Sequence, residues 1–282
     1  MVTHAWSNFF TDLVAAIVAE ALGQDRYIEA AGLLAEGRVE ELKGRLRDAG
    51  TLQQVYWVCA FSINQHAGIC GDFGPEPREP GPRHDIWAES RLNTVSKEVY
   101  PLCPCREPKY FNDAPVPCEL NKFDDMMALL VREAPEFTQV VAVDRRFDLF
   151  TRLWCIAELV QAHLSGIEQR VSLLSNRVLE ADNGDLSVYV KLTNLKVSEC
   201  SATRVEDKLA ILAKIPDTHE FDAQLQALIF GEHGLLARHL VGFGALEAAG
   251  RTARRIAAAT GEGFESEEEE PPRRWCGELR KV

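Results

Sequence analysis

The sequence predicts an α/β fold in which helices cover a parallel β-sheet. Short apolar runs that are typical of buried strands alternate with longer stretches whose apolar residues recur at helical spacing. The clearest pair is residues 138–143, TQVVAV, followed by residues 147–165, FDLFTRLWCIAELVQAHLS, with Asp144-Arg145-Arg146 as the turn between them. Repeated alternation of this kind favours parallel strands that are buried by helices on both faces.

The composition is that of an ordinary globular protein. The 282 residues are 46% hydrophobic and 26% charged, and no run of 18 apolar residues predicts a membrane span. The net charge of -12 argues against a general nucleic-acid binder. The N-terminus lacks the pattern of a signal peptide. With eight cysteines and no secretory signal, the chain is expected in a reducing compartment, and we predict a cytoplasmic protein.

The first part of the chain predicts helices and one strand. Helices are predicted at residues 8–22, with Thr3 or Ser7 as the N-cap, at residues 26–36 and at residues 39–48. Residues 55–63 are almost continuously apolar or aromatic and predict a buried strand. Ser62 and Asn64 fall at its carboxyl end, where open α/β sheets bind ligands. Alternatively, Asn64 and Gln65 serve only the turn.

Residues 66–118 predict a long insertion rich in cysteine, proline and glycine. Loops of this length are functional or disordered. The insertion holds soft ligands for an alternative zinc site: His66, Cys70, Cys103, Cys105 and Cys118. The C-x-C spacing of Cys103 and Cys105 is tighter than that of a zinc finger, so unpaired or packing thiols are the other interpretation.

The rest of the chain continues the alternation and then changes character. The predicted elements are a helix at 119–133, strands at 170–175 and 195–200, and a helix at 204–215 capped by Ser201 or Thr203. Residues 216–260 predict a helical appendage, helical over 221–259 with a break at 242–244. Residues 261–282 form a tail whose acidic run and following basic residues predict disorder.

The helix predicted at 147–165 carries one apolar stripe, which consists of Leu149, Leu153, Ile156, Val160 and Leu164. Trp154 and Glu158 are spaced i and i+4 and therefore share another face. That face also carries Thr151, Gln161 and Ser165, so spacing alone predicts a solvated Glu158 on the polar side of the helix.

Two segments resemble a known superfamily. Residues 152–159, RLWCIAEL, resemble the W-C-x-x-E-L segment of TIR domains and the R-x-W-x-x-x-E segment of the TIR-like HET (heterokaryon incompatibility) domains of fungi. Residues 56–65, YWVCAFSINQ, resemble the HET strand that ends in C-I-N-Q. The order of the two segments also matches. The resemblance covers roughly residues 1–215 and implies a flavodoxin-like, TIR-like domain over this range.

The resemblance also implies a function. Many TIR domains cleave the nicotinamide–ribose bond of NAD, others are oligomerising adaptors, and HET domains trigger cell death. Glu158 matches the catalytic glutamate, with NAD as substrate and neither a metal nor another cofactor required. The implied substrate-binding residues are His4, Trp6, Ser62, Asn64 and Trp154. A signalling domain that forms homo-oligomers or recruits a partner, without binding nucleic acid or membrane, is therefore expected.

The N-terminus departs from the family pattern. Only Val2-Thr3-His4 resembles the end of the first TIR strand, which would be central in a doubly wound sheet. We expect that strand to be largely missing, or replaced by another stretch, and the ligand pocket to be affected. His4 and Trp6 then serve as a capping and packing pair instead.

A different class of function is the alternative to this resemblance. No P-loop, dinucleotide fingerprint, nucleophile elbow or H-E-x-x-H motif occurs in the chain. The competing prediction is an unrelated α/β enzyme, or a metal-binding protein that uses the cysteine-rich insertion.

Overall fold

The computed structural model contains a parallel sheet of three strands, β1 (Val2–His4), β2 (Thr138–Ala142) and β3 (Glu168–Ser172), in the order β1-β2-β3. The structure describes residues 1–240 except 63, 65, 67–75, 93–97, 102, 104–122, 135, 176–178, 180–186 and 203–204. Thr3 pairs with Val141, which pairs with Val171. The predicted α/β class with a parallel sheet is confirmed.

Helices occupy most of the remaining described chain. Those before β2 are α1 (Phe10–Ala21), α2 (Ile28–Ala35), α3 (Val39–Asp48), α4 (Cys59–Ser62), α5 (Pro82–Ser90) and α6 (Phe123–Glu133). Those after it are α7 (Leu153–Leu164), α8 (Ser187–Thr193), α9 (Val205–Leu212) and α10 (Thr218–Phe230). Short 3-10 turns lie at Asp148–Thr151, Val197–Glu199 and Ala237–His239. Neither Thr3 nor Ser7 caps α1, because Phe9 occupies the N-cap position and Thr3 lies within β1.

The first strand is short but present, and it has a hydrogen-bonded partner on each side. On one side β1 pairs with β2, and on the other Val2 forms an isolated parallel bridge with Val58. The amide N–H of Val2 donates a 2.8 Å hydrogen bond to the carbonyl of Trp57. Three residues therefore form the first strand, and a single bridge lies on the side of it that faces away from β2.

Two predicted strands are wrong. Of the segment predicted at 55–63, the described residues 55–62 contribute a single bridge, at Val58, and Cys59–Ser62 forms α4, in which the N–H groups of Phe61 and Ser62 donate to the Val58 carbonyl. Residues 195–200 form a 3-10 turn, in which the Val197 N–H donates to the carboxylate of Asp222 at 2.8 Å. Apolar runs this short fit a strand or a helix equally well.

The long helix predicted from residue 221 to the break at 242 is also wrong. Helix α10 begins earlier, because Asp217 caps it by accepting from the N–H groups of His219 and Glu220. It ends at Phe230, and residues 231–240 form turns and a 3-10 helix. A Cβ at Gly231 would lie 2.4 Å from the Ala227 carbonyl oxygen, so only glycine fits this helix end. Residues 241–282 lie outside the described chain.

Apolar side chains cover both faces of the sheet. Val141 and Val143 belong to a cluster with residues of α7 and α10, including Leu153, Ile156 and Ile229. Val140 and Ala142 belong to a second cluster with α1, α2 and α3. This division follows the alternation of side chains along a strand. Within the described ranges, the structure contains no helix that is both long and apolar enough to cross a membrane.

Candidate functional site around Glu158

Glu158 belongs to α7, and its side chain lies inside the protein, where it faces β1. Its side chain is only 9% exposed, and its Oε2 accepts a 2.6 Å hydrogen bond from the hydroxyl of Thr3. The prediction of a solvated Glu158 is therefore wrong. By contrast, Leu164 of the predicted apolar stripe is 49% exposed. The rotation of α7 about its axis is set by its contacts with the sheet, where Thr3 offers a polar partner that helical spacing does not reveal.

The hydroxyl of Thr3 accepts a hydrogen bond from a glutamine of β2, which in turn accepts one from a glutamine of β3. Gln139 Nε2 donates to Thr3 Oγ1 at 2.7 Å, and Gln169 Nε2 donates to Gln139 Oε1 at 2.8 Å. The same two nitrogens also donate to the main-chain carbonyls of Glu158 and Leu159, at 3.3 Å and 3.0 Å. These contacts satisfy polar groups that would otherwise be costly to bury.

The surroundings of Glu158 favour its protonated form. Burial raises the pKa of this carboxyl to about 7, although the Thr3 hydrogen bond and the nearby Met1 ammonium both oppose that rise. Two thiols lie close enough to be affected by its charge. Burial and the Glu158 carboxylate raise the pKa of Cys59 to about 12, and the same two causes raise the pKa of Cys155 well above its ordinary value. Both thiols therefore stay protonated and are poor nucleophiles.

Trp6 follows the carboxyl end of β1, whereas Ser62 ends α4 and Asn64 follows that helix, so neither lies at the end of a strand. The indole Nε1 of Trp6 donates to Cys59 Sγ at 3.2 Å, which joins the loop after β1 to α4. Ser62 and Asn64 are exposed, and Asn64 Oδ1 accepts from the His66 N–H at 3.0 Å. The charge of Glu158 also acts on the thiol of Cys59 and raises its pKa.

His4 and Trp154 do not meet around that carboxyl. His4 follows Thr3 in β1 and so points to the opposite face of the sheet, where it is 4% exposed. Its Nδ1 has no hydrogen-bond partner, and burial lowers its pKa, so the ring is neutral. Trp154 points toward α9, where its Nε1 donates to Asp207 at 3.2 Å.

Sequence analysis missed Thr3, Gln139 and Gln169 as site residues. A signal was present for Gln139, because it shares the strand periodicity of Val141 and Val143 and so faces the same buried side. A polar residue at such a position needs a buried partner. Nothing in the sequence identifies that partner, which lies 136 positions away in the chain.

The alternative zinc site is described only in part. Cys103 Sγ lies 3.5 Å from His66 Nδ1, whereas Cys70, Cys105 and Cys118 lie outside the described residues. Within the described part of the chain, no group of three or more histidines, cysteines or acidic residues is arranged to hold a metal ion. Outside the insertion, Cys155 and Cys200 are buried and Cys59 is half-buried.

A cavity of about 510 Å³ lies beyond the other end of the polar row, where Gln169 contributes to its wall. Its other polar lining residues are His163, Glu232, His233 and Arg238. These four side chains are exposed to solvent. Gln169 links this cavity with Glu158 through hydrogen bonds to Gln139 and from there to Thr3.

Comparison of this chain with protein-family models, with curated proteins and with solved structures finds no match.

Proposed function

We propose that this chain is a TIR-like or HET-like signalling domain of flavodoxin-like fold, which acts by self-association or partner recruitment and cleaves the nicotinamide–ribose bond of NAD with Glu158. One observation carries the proposal. The glutamate of the W-x-x-x-E segment is a buried carboxyl that is hydrogen-bonded to Thr3 of β1, in a parallel sheet. A surface glutamate would have no such environment.

The environment of Glu158 suits this reaction. Loss of neutral nicotinamide from its pyridinium form leaves positive charge on the ribose, and a fixed carboxylate beside it stabilises that charge. A carboxyl with a pKa of about 7 is partly ionised at neutral pH. The cationic nicotinamide ring would favour the ionised form further, because an opposite charge nearby lowers a carboxyl pKa. The reaction needs no proton on the leaving group and no metal.

The route to Glu158 passes the contact between Trp6 and Cys59. We expect NAD to enter at the carboxyl end of the sheet, beside Ser62 and Asn64, and to displace the 3.2 Å contact between the indole and the thiol. Trp6 is 40% exposed and can therefore move without loss of buried core.

The association half of the proposal is supported by an exposed aromatic face at the same end of the sheet. This aromatic face consists of Trp6, Phe9, Phe10 and Phe61, which are 40%, 46%, 65% and 64% exposed. Phe10 and Phe61 touch edge to face, with ring centroids 6.0 Å apart. Adjacent exposed aromatic rings are typical of surfaces that bind another protein.

NAD cleavage is tested by measuring nicotinamide release from the purified chain at high protein concentration. We expect Glu158→Gln, which keeps an acceptor for Thr3, to lower the rate by about 100-fold or more. The matched control is Glu133→Gln, on the exposed end of α6, which should leave the rate unchanged. Equal rates for the parent and Glu158→Gln would remove Glu158 from the mechanism.

Association is tested separately, by sedimentation over a range of protein concentrations. The parent should associate as its concentration rises, and the double variant Phe10→Ser, Phe61→Ser should stay monomeric. Leu209→Ser is the matched control, because Leu209 is 63% exposed but lies on α9. A parent that remains monomeric throughout would contradict self-association and leave recruitment of a different partner.

A further inference from the structure

Each strand of the sheet contributes one polar side chain to the row that ends at Glu158. Thr3 comes from β1, Gln139 from β2 and Gln169 from β3. Thr3 and Gln139 are fully buried, and Gln169 is half-buried. On this face the three residues share the sheet with buried valines, Val141 and Val171, and polar side chains in such a place are costly unless each one is hydrogen-bonded.

The hydrogen bonds of this row all run in one direction. Gln169 donates to Gln139, and Gln139 donates to Thr3. Because the oxygen of Thr3 accepts from Gln139, its single hydrogen is available to the Glu158 carboxylate, to which it donates at 2.6 Å. Both hydrogens of each glutamine Nε2 are used, since each also binds a carbonyl of α7.

A chain of donors that ends on a carboxylate stabilises the charged form of that carboxylate. Each bond polarises the next, and the last donor is therefore stronger than an isolated hydroxyl. The reverse orientation, with a donor on Glu158 and acceptors along the row, would instead stabilise the protonated acid.

We propose that Thr3, Gln139 and Gln169 are positioning residues, which hold the Glu158 carboxyl in place and keep it available in its ionised form for the proposed NAD cleavage. The inference rests on the proposed function for its catalytic meaning. The three side chains control the ionisation of Glu158 whether or not a substrate binds.

The other groups around Glu158 do not replace this control. The ionisable groups whose charge acts on or is affected by Glu158 are the terminal ammonium of Met1, which precedes β1, the Cys59 thiol on α4 and the Cys155 thiol on α7. The thiols are neutral, and the ammonium acts more weakly than the Thr3 hydrogen bond. Gln139 and Gln169 reach the carboxyl only through Thr3. The expected order of effect is therefore Thr3 first, Gln139 second and Gln169 last.

The decisive measurement is an NMR titration of the glutamate carboxyl carbons in the full chain, with the Glu158 signal assigned by its loss in Glu158→Gln. We expect Thr3→Val to raise the pKa of Glu158 by about one unit, a tenfold change in its ionisation constant. Thr3→Ser, which retains the hydroxyl, should leave the pKa near that of the parent. Gln161→Met is the matched control, because Gln161 lies on α7 but donates only to Ser165.

An unchanged Glu158 pKa in folded Thr3→Val would overturn the inference. If that variant does not fold, Gln169→Met at the half-buried end of the row gives the test, with a smaller upward change expected and no change as the contrary result. The titration also separates the two proposals. A raised pKa in a chain that never releases nicotinamide would retain the hydrogen-bond control and reject NAD cleavage.

In an active chain, the pH dependence of kcat gives a second measure. Thr3→Val should move the rise of kcat to higher pH by the same amount as the NMR titration, because the reaction needs the carboxylate. A uniform loss of kcat at every pH would mean that Thr3 only supports the fold.

Discussion

Thr3 and Glu158 are 155 positions apart in the chain, and the hydroxyl of one donates a 2.6 Å hydrogen bond to the carboxyl of the other. This contact joins β1 to α7 and fixes where the glutamate of the W-x-x-x-E segment lies. It also places an ionisable group in the interior, and the ionisation of that group is thereby linked to folding.

The first prediction concerns stability against pH. The pKa of Glu158 is raised from 4.5 to about 7 in the folded chain, so its contribution to stability is complete below pH 4.5 and is lost as the pH rises through about 7. Ionising it in place costs on the order of 3 kcal/mol. We therefore expect Glu158→Gln to gain stability relative to the parent between pH 5 and pH 8, as measured by urea unfolding.

The comparison isolates one group, because all other titrating residues are shared by the two proteins. Glu133→Gln, at an exposed position, should show the same pH dependence as the parent. If the unfolding free energies of the parent and Glu158→Gln run parallel from pH 5 to pH 8, Glu158 does not titrate in this range.

The second prediction concerns the turn between β2 and α7. The Asp144 carboxylate accepts from the backbone N–H groups of Arg146, Asp148 and Leu149, at 3.0 Å, 3.0 Å and 2.8 Å. Asp144→Ala would leave three buried or half-buried donors without this acceptor, and we expect it to lower the unfolding free energy by about 2–3 kcal/mol. Asp85→Ala, at an exposed site on α5, should change it by less than about 0.5 kcal/mol. An equal effect of both changes in urea unfolding would contradict this role of Asp144.

The local sequence pattern was sufficient to predict a helix or strand where one face of the element is apolar and its ends carry clear signals. Helix α3 has the predicted bounds, Val39–Asp48, because Gly37 precedes it and Gly50 follows it, both in the left-handed region. The strand Thr138–Ala142 was also predicted, because a short run of strand-forming residues between Pro135 and the Asp144 turn favours a strand over other structures.

Local pattern failed where distant contacts decide the conformation. Residues 55–63 have the composition of a strand, but the short β1 leaves only Val58 in pairing position, so the chain closes into α4 directly afterwards. At Val197 a carboxylate from α10 takes the N–H that a strand partner would need. Neither contact has a signature in nearby sequence.

At the candidate site, too, the local sequence predicted some features and distant contacts decided the others. The W-x-x-x-E segment identified Glu158, but not its burial, because the partner that draws it inward belongs to another strand. The resemblance implied that His4 lies in the same pocket. Alternation along β1 places the side chains of Thr3 and His4 on opposite faces, and only the first one reaches α7.

The third prediction is a pair of glycine substitutions with opposite signs. Gly37 has a φ of 71°, a conformation that strains any residue with a Cβ, so Gly37→Ala should lower the unfolding free energy by about 1 kcal/mol. Gly32 lies within α2, and an added Cβ would meet nothing within 4 Å. Gly32→Ala should therefore raise it by about 0.5–1 kcal/mol. Thermal unfolding measures both, and a lower melting temperature for Gly32→Ala would contradict the placement of α2.

The fourth prediction separates the core from the aromatic face. Phe150 is fully buried among residues of α7 and α10, and Phe150→Ala should cost about 3–5 kcal/mol through the cavity that it leaves. Phe10 is 65% exposed, so Phe10→Ala should change the unfolding free energy by less than about 0.5 kcal/mol.

The same two variants then bear on association, because a change that leaves folding intact cannot weaken it by unfolding. Phe10→Ala should shift the sedimentation of the chain toward the monomer at a given concentration while its urea midpoint stays that of the parent. A Phe10→Ala protein that is both less stable and less associated would mean that Phe10 packs into the fold. The aromatic face would then contribute to stability and would not be a free surface for a second copy.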